Sequence, residues 1–295
     1  MTAIKRLNIL MADDSSEHAW SAVELIRDLS LPSRTKVMVL RVFTPGQISA
    51  IPDFERSLEK TKQHLLYAGV KVETELLLGS PAEKIIEVAK YKKSNLIVLG
   101  AKGLRATLGI LLGGVAQQVV EYAHTPVLIV RAPYMGLRRV LLVTDGSASS
   151  QYAARYLGKF PLPKNVDVHV MHVIPPPQPL LTMEPQLGGW QTVYLPPPVD
   201  EDTALHKKQE HAGKALLKRT CDLLQRHGIS ATPILKQGDA ATEIIEYVKA
   251  NEIDLIMAGS LGLGQLKSWW VGSVSRKLIH YSNCSVLMVR GPQKE

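Results

Sequence analysis

The chain has 295 residues, about 45% of them apolar, and a formal net charge of +8 with an isoelectric point near 9.4. That length predicts two domains, and no apolar run reaches the roughly 18 residues of a membrane span. Cys221 and Cys284 are too few for a disulfide framework and suit no zinc site. The N-terminus lacks a signal-peptide core, so a reducing cytoplasm is the expected compartment. The basic excess raises nucleic acid as a partner. Against it, lysines and arginines are scattered among acids, as from Glu55 to Lys60, and aromatic residues are scarce. A solvated surface is the expected reading.

Residues 7–12 predict a buried strand, followed by a polar turn, Asp13 to Ser16, that suits a helix N-cap. Ala22, Val23, Ile26 and Leu29 recur at helical spacing until Pro32. Lys36 to Phe43 predicts a second strand. A loop holding Pro45, Gly46 and Pro52 leads to a helix from about Asp53 to Tyr67, ended by Gly69. Val70 to Leu78 alternates as a third strand, and Pro81 sits at the tolerated first turn of the next helix. Leu96 to Leu99 and Val127 to Val130 complete five strands, with a helix from Val115 to Ala123 between them. Strands alternating with helices predict a parallel sheet covered on both faces.

The chain then repeats itself. Val140 to Ser147 matches Ile9 to Ser16 with Asp14 and Asp145 in register, an offset of 131. Gly238 to Glu246 matches Gly79 to Glu87 at an offset of 159, which holds through Gly100 and Gly259. The difference of 28 residues is an insertion at about 174–202, between the strand Val166 to Val173 and a helix starting near Thr203. Runs of proline after Ile174 and Leu195 predict a stiff, extended excursion there. The boundary is expected near Gly136, giving domains 1–136 and 137–295.

The chemistry is expected at the carboxyl ends of the first and fourth strands, where an open α/β sheet binds ligands. Asp145 ends strand one of the second half. Gly259 ends strand four, followed by Gly262 and, nine residues on, Gly272 and Ser273 at a helix start. Unpaired N–H groups at such a start favour phosphate. An acid beside them suits ribose hydroxyls. In the first half Asp14, Gly100, Gly103 and Gly113 keep the pattern, but Gly114 and Ala116 replace the hydroxyls of Ser273 and Ser275.

This spacing, with the acid after strand one, resembles the universal stress protein family in its tandem two-domain form. The resemblance covers all but the insertion. It implies two doubly wound α/β domains, each a five-stranded parallel sheet of order 3-2-1-4-5 flanked by four helices. It also implies ATP or AMP as ligand, with or without Mg. By the same resemblance Asp145 contacts ribose, the Val173 backbone meets adenine, and Gly259, Gly262, Gly272, Ser273, Val274 and Ser275 line the phosphates. Asp14, Val42, Gly100, Gly103, Gly113 and Gly114 form the weaker counterpart, so the second domain is expected to bind more tightly.

Other readings stay open. The alternative for the glycines is a turn that packs helix on sheet, and for Asp14 and Asp145 a helix N-cap. Lys267 and Arg105 are candidates for phosphate neutralisation or for solvated roles, and Trp269 and Trp270 for packing or a subunit contact rather than base stacking. No P-loop is present, and the third glycine of a dinucleotide fingerprint is missing. His169 and His172 are expected on opposite strand faces. A regulatory binder working through a protein partner is the first reading. A slow ATPase or self-phosphorylating enzyme, with Ser273 or Ser275 as acceptor, is the second, and a ligand-free scaffold the third. The last strands, as apolar sheet edges, are expected to pair the two domains within the chain and to form a homodimer.

Overall fold

A computed structural model describes residues 6–103, 112–176, 180–186, 189–195, 199–260 and 272–291, with backbone alone for those between 180 and 206. The first repeat runs β1 (Asn8–Ala12), α1 (Glu17–Asp28), β2 (Lys36–Phe43), α2 (Ile51–Leu66), β3 (Lys71–Leu78), α3 (Pro81–Tyr91), β4 (Leu96–Gly100), α4 (Gly114–Tyr122) and β5 (Val127–Val130). A 3-10 turn at Pro45–Ala50 occupies part of the expected loop before α2. The second repeat runs β6 (Arg139–Val143), α5 (Ala148–Leu157), β7 (Asp167–Ile174), β8 (Leu180–Gln186), β9 (Gly189–Leu195), α6 (Val199–Gln225), β10 (Ala231–Gln237), α7 (Ala240–Ala250), β11 (Leu255–Gly259), α8 (Ser273–Tyr281) and β12 (Ser285–Val289).

Both repeats have the strand order 3-2-1-4-5, and the two join into one ten-stranded sheet, β10-β7-β6-β11-β12-β5-β4-β1-β2-β3. Every pairing in it is parallel except β12 with β5. The inner strands β1, β4, β5, β6, β11 and β12 read as largely apolar runs because helices cover both faces, while the edge strands β3 and β10 carry polar, more exposed residues. One layer of core, with Leu25, Leu65, Leu128, Leu157, Leu224 and Leu287, lies under α1, α2, α5 and α6. The other, with Ile85, Val119, Ile129, Ile244, Leu278 and Val286, lies under α3, α4, α7 and α8. Each layer crosses the junction between the repeats, so the junction has the apolar packing of a domain interior.

At that junction Leu128 faces Leu287. The two residues are equivalents at the 159-residue offset, so a local twofold passes between them. Each repeat also reaches across it. Arg131 donates to the carbonyls of Ile279 (2.7 Å) and Cys284 (3.2 Å). Its equivalent, Arg290, donates to Val120 (2.9 Å) and Glu121 (2.6 Å). Ile279 and Val120 are themselves equivalents, in the last turns of α8 and α4, where unpaired carbonyls favour a cation. The intrachain pairing therefore exists.

The same pairing uses up the strand edges on which a homodimer through the last strands was expected. β5 is flanked by β4 and β12, and β12 by β11 and β5, so neither has a free backbone edge to offer a second copy. The insertion also departs from expectation. It is a two-stranded antiparallel hairpin, β8 with β9, separate from the main sheet, rather than an extended excursion. Its prolines fall mainly at the two ends, while Thr192, Val193 and Tyr194 between them favour strand. Helix α6 begins at Val199 instead of near Thr203.

Candidate functional site

The strand order reverses between β1 and β4, whose carboxyl ends open a crevice there. In the first repeat this crevice is a cleft of about 490 Å³. Its lining includes Asp14, Val42, Gly100, Gly103, Gly113 and Gly114, all six residues named from sequence for this half. Leu40, Pro81, Ile85, Leu99, Leu112 and Ala116 supply an apolar wall. A cavity of this size with an apolar wall and few polar groups is of the kind that holds small ligands and cofactors.

The helix at its mouth starts bare. Helices α1, α5 and α7 open on capping side chains, Ser16, Ser147 and Asp239. Helix α4 opens on Gly113 with no side-chain cap, and α8 on Gly272 likewise. The first intrahelical bonds there run from Gln117 to Gly113 and from Arg276 to Gly272. The N–H groups of Gly114, Val115 and Ala116, and of Ser273, Val274 and Ser275, thus have no partner within the helix. Both loops close the same way, Gly113 N–H on Ala101 and Gly272 N–H on Ser260, each at 2.8 Å.

The glycines do separate jobs. A Cβ on Gly100 would lie 2.7 Å from His18 Cβ and 2.9 Å from the Ala19 nitrogen. On Gly259 it would lie 2.7 Å from Ser149 and 2.8 Å from the Ser150 nitrogen. These two glycines let the strands they end, β4 and β11, meet α1 and α5, so helix packing is part of their role. A Cβ on Gly103 would lie 2.5 Å from Asp14 Oδ2; this glycine leaves room for the carboxylate. Nothing lies within 4 Å of a Cβ built on Gly114.

Asp14 and Asp145 close matching turns, their Oδ1 atoms accepting from Ser16 N–H (3.0 Å) and Ser147 N–H (2.9 Å). Ser15, between Asp14 and Ser16, has φ of +62°, and its equivalent Gly146 has +80°. Glycine takes this left-handed conformation freely, whereas a serine is held there by its contacts. Ser15 N–H donates to Asp13 Oδ1 at 2.7 Å, and the Ser15 hydroxyl meets Ser57 and the Arg41 guanidinium.

Sequence reasoning missed that network. Asp13 is buried, accepts from the Thr61 hydroxyl at 2.7 Å, and has its pKa raised chiefly by burial. Arg41 lies beneath the Phe54 ring, 4.1 Å from its centroid, and both line the cleft with Thr44 and Gln47. An arginine inside the apolar run Val37 to Phe43 was the available signal. In the second repeat these positions are Thr144, His172, Thr220 and Gly213, with His172 Nδ1 against the Thr144 carbonyl at 2.9 Å.

Of the second-repeat candidates, Asp145 ends the turn after β6, Val173 lies in β7 and Gly259 ends β11. Gly272, Ser273, Val274 and Ser275 form the start of α8. Ser275 is buried, and its hydroxyl donates to the Gly259 carbonyl at 2.9 Å, so what it offers at the helix start is its backbone N–H. The hydroxyl proton ties α8 to β11, leaving Ser273 as the side-chain donor that separates the two repeats. Gly262, Lys267, Trp269 and Trp270 lie outside the described residues, as does Arg105. Among the described residues no helix is long and apolar enough to cross a membrane. His169 is held by Tyr247 at 2.7 Å and Asp167 at 2.9 Å, away from His172.

His18, against Gly100, gives the site a pH dependence. Its Nδ1 accepts the Ala132 N–H at 2.8 Å, and burial, then the charges of Lys102 and Arg131, lower its pKa from 6.5. Between that lowered value and about 6.5 the unfolded chain binds more protons than the folded one, so stability falls as pH drops through the window. We expect a lower urea midpoint at pH 5 than at pH 7.5, and a shallower dependence in His18→Gln. His280 is shifted the same way, first by burial and then by Arg276 and Arg131, so the variant removes only part of the slope.

A model of the universal stress protein family matches residues 5–131 and, a second time, residues 136–290. A universal stress protein of Mycolicibacterium smegmatis is 26% identical over 307 aligned positions, covering 96% of each chain. One from Methanocaldococcus jannaschii is 46% identical over 79 residues, which is 27% of this chain and 46% of that one. The crystal structure of a universal stress protein from Archaeoglobus fulgidus DSM 4304 aligns with 98% of this chain and 97% of its own, with a TM-score of 0.64 at 21% identity.

Proposed function

We propose that this chain, which belongs to the universal stress protein family, binds an adenine nucleotide, ATP or AMP, and reports its presence to a protein partner in a stress response. The observation that carries the reading is the first-repeat cleft, whose lining includes Asp14, Val42, Gly100, Gly103, Gly113 and Gly114. Its residues fit such a ligand. The bare N–H groups at the start of α4 would take phosphate oxygens. Asp14 would accept from ribose hydroxyls, the Val42 backbone would meet the base, and Ile85 and Leu99 would cover its face. Asp145, Val173, Gly259 and Gly272 to Val274 would do the same in the second repeat, in units dividing as 1–136 and 137–295. A bound nucleotide supplies negative charge and, with Mg, a divalent ion beside the phosphates.

The second repeat is the tighter site in this reading, because Ser273 adds a hydroxyl donor where the first has Gly114. A hydrogen bond to a charged group is worth about 1.5–3 kcal/mol, about one to two decades in affinity. Titration calorimetry of the full chain with ATP should resolve two binding events separated by about that factor. Absence of binding for both ATP and AMP would end the proposal. Gly114→Ser should strengthen the weaker event by roughly tenfold, since open space surrounds a Cβ there. No change in that event would mean that the difference between the repeats lies elsewhere.

A further inference from the structure

The second repeat carries another cavity, of about 590 Å³, between α5, α6 and the end of β7. Its floor is apolar, with Ala154, Ile174, Leu216 and Leu223, its rim carries Arg155 and Arg219, and its inner end adjoins the proposed nucleotide crevice at Asp145 and His172. The helices that wall it are on the face covered by α1 and α2 in the first repeat. They are not the helices of the glycine loops.

The repeats explain why the space exists. At the equivalent places in the first repeat, Trp20 packs edge-on against His64, with ring centroids 4.6 Å apart, and Phe54 covers Arg41 at 4.1 Å. The second repeat has Gln151 for Trp20, Leu223 for His64 and Gly213 for Phe54. Two aromatic rings are gone. A Cβ on Gly213 would stand 2.8 Å from Leu235 and 3.1 Å from His172, so no side chain refills the gap from that position.

Charge changes with shape. Glu24 and Lys60 of the first repeat correspond to Arg155 and Arg219 of the second, so a balanced pair becomes two guanidinium groups. Among the described residues neither arginine makes an ion pair. Both are exposed at the rim, where planar forks suit a carboxylate or phosphate.

We infer that this cavity is a second ligand site that takes an amphipathic organic anion, its apolar body on the Leu216 and Leu223 floor and its acidic head between Arg155 and Arg219. The full chain should bind the fluorescent anion anilinonaphthalene sulfonate at this site, with octanoate or octyl phosphate displacing it. Whichever of the two competes more strongly identifies the head group. Arg155→Gln with Arg219→Gln should weaken probe binding at least tenfold, and Gln151→Trp, which restores the ring of the first repeat, should reduce it similarly. Both exchanges sit at exposed positions, and a thermal melt checks each fold. Binding unchanged by all three substitutions would overturn the inference. That result does not bear on nucleotide binding in the first repeat.

Discussion

Gly100→Ala should destabilise the fold by about 1–3 kcal/mol, the range for forcing extra volume into a packed interior. The added carbon would meet the Ala19 nitrogen at 2.9 Å and His18 Cβ at 2.7 Å. These atoms belong to α1, which is anchored at its start by Ser16 capping the Ala19 N–H and by the Ser16 hydroxyl on the Lys102 carbonyl at 3.1 Å. Relief requires the helix to slide away from β4, which opens the core beneath Ala22 and Ile26. Gly259→Ala should cost about the same, because Ser149 and Ser150 stand at matching distances. Gly114→Ala is the control. It adds a carbon to open space, so its effect should stay within about 0.5 kcal/mol. Chemical denaturation of the three variants checks the ordering. If Gly100→Ala proves neutral while nucleotide binding is lost, the glycine serves the ligand alone and the packing argument fails.

Arg131→Ala should be the other severe change, at about 3–4 kcal/mol. Arg131 is buried, at 8% exposure, and its guanidinium satisfies carbonyls at the end of α8 and before β12. Removing it strips two charge-assisted bonds, each worth about 1.5–3 kcal/mol, and leaves buried acceptors without that donor. Arg131→Lys keeps the charge but not the fork, so it should recover only part of the loss. Arg290→Ala should cost less, about 1–2 kcal/mol, because Arg290 is only half-buried. The unfolding transition should also show where the repeats separate. If β5 and β12 hold one cooperative unit, Arg131→Ala lowers a single midpoint; two transitions would show that each repeat folds independently.

Much of the site was legible because it is local. Asp14 lies at the end of β1 and Gly100 at the end of β4, and the Gly113 to Ala116 segment directly follows the loop. Strand, loop and helix starts are written in short runs with few alternatives. Repetition doubled the signal, since two copies at offsets of 131 and 159 fixed equivalences that a single copy would not. What did not show was coupling between distant positions. Arg41 with Phe54, and His172 with Gly213, change together across 13 residues in one repeat and 41 in the other. Only the side-by-side placement of β2 and α2, or β7 and α6, reveals them as alternatives for the same space. The commitment of Ser275 to the Gly259 carbonyl was hidden for the same reason.

The order of apolar runs, caps and glycines by itself determined two α/β repeats, their helical coverage and the position of an anion-attracting helix start, because those depend on backbone preferences within a few residues. Which strand edges close on each other was decided by tertiary structure. β5 and β12 are equally apolar and equally suited to a second copy, but the short segment from Arg131 to Arg138 holds them within reach of each other in one chain. Their union, clasped by Arg131 and Arg290, uses up the edges. The same packing left a cavity in one repeat where aromatic rings fill the other.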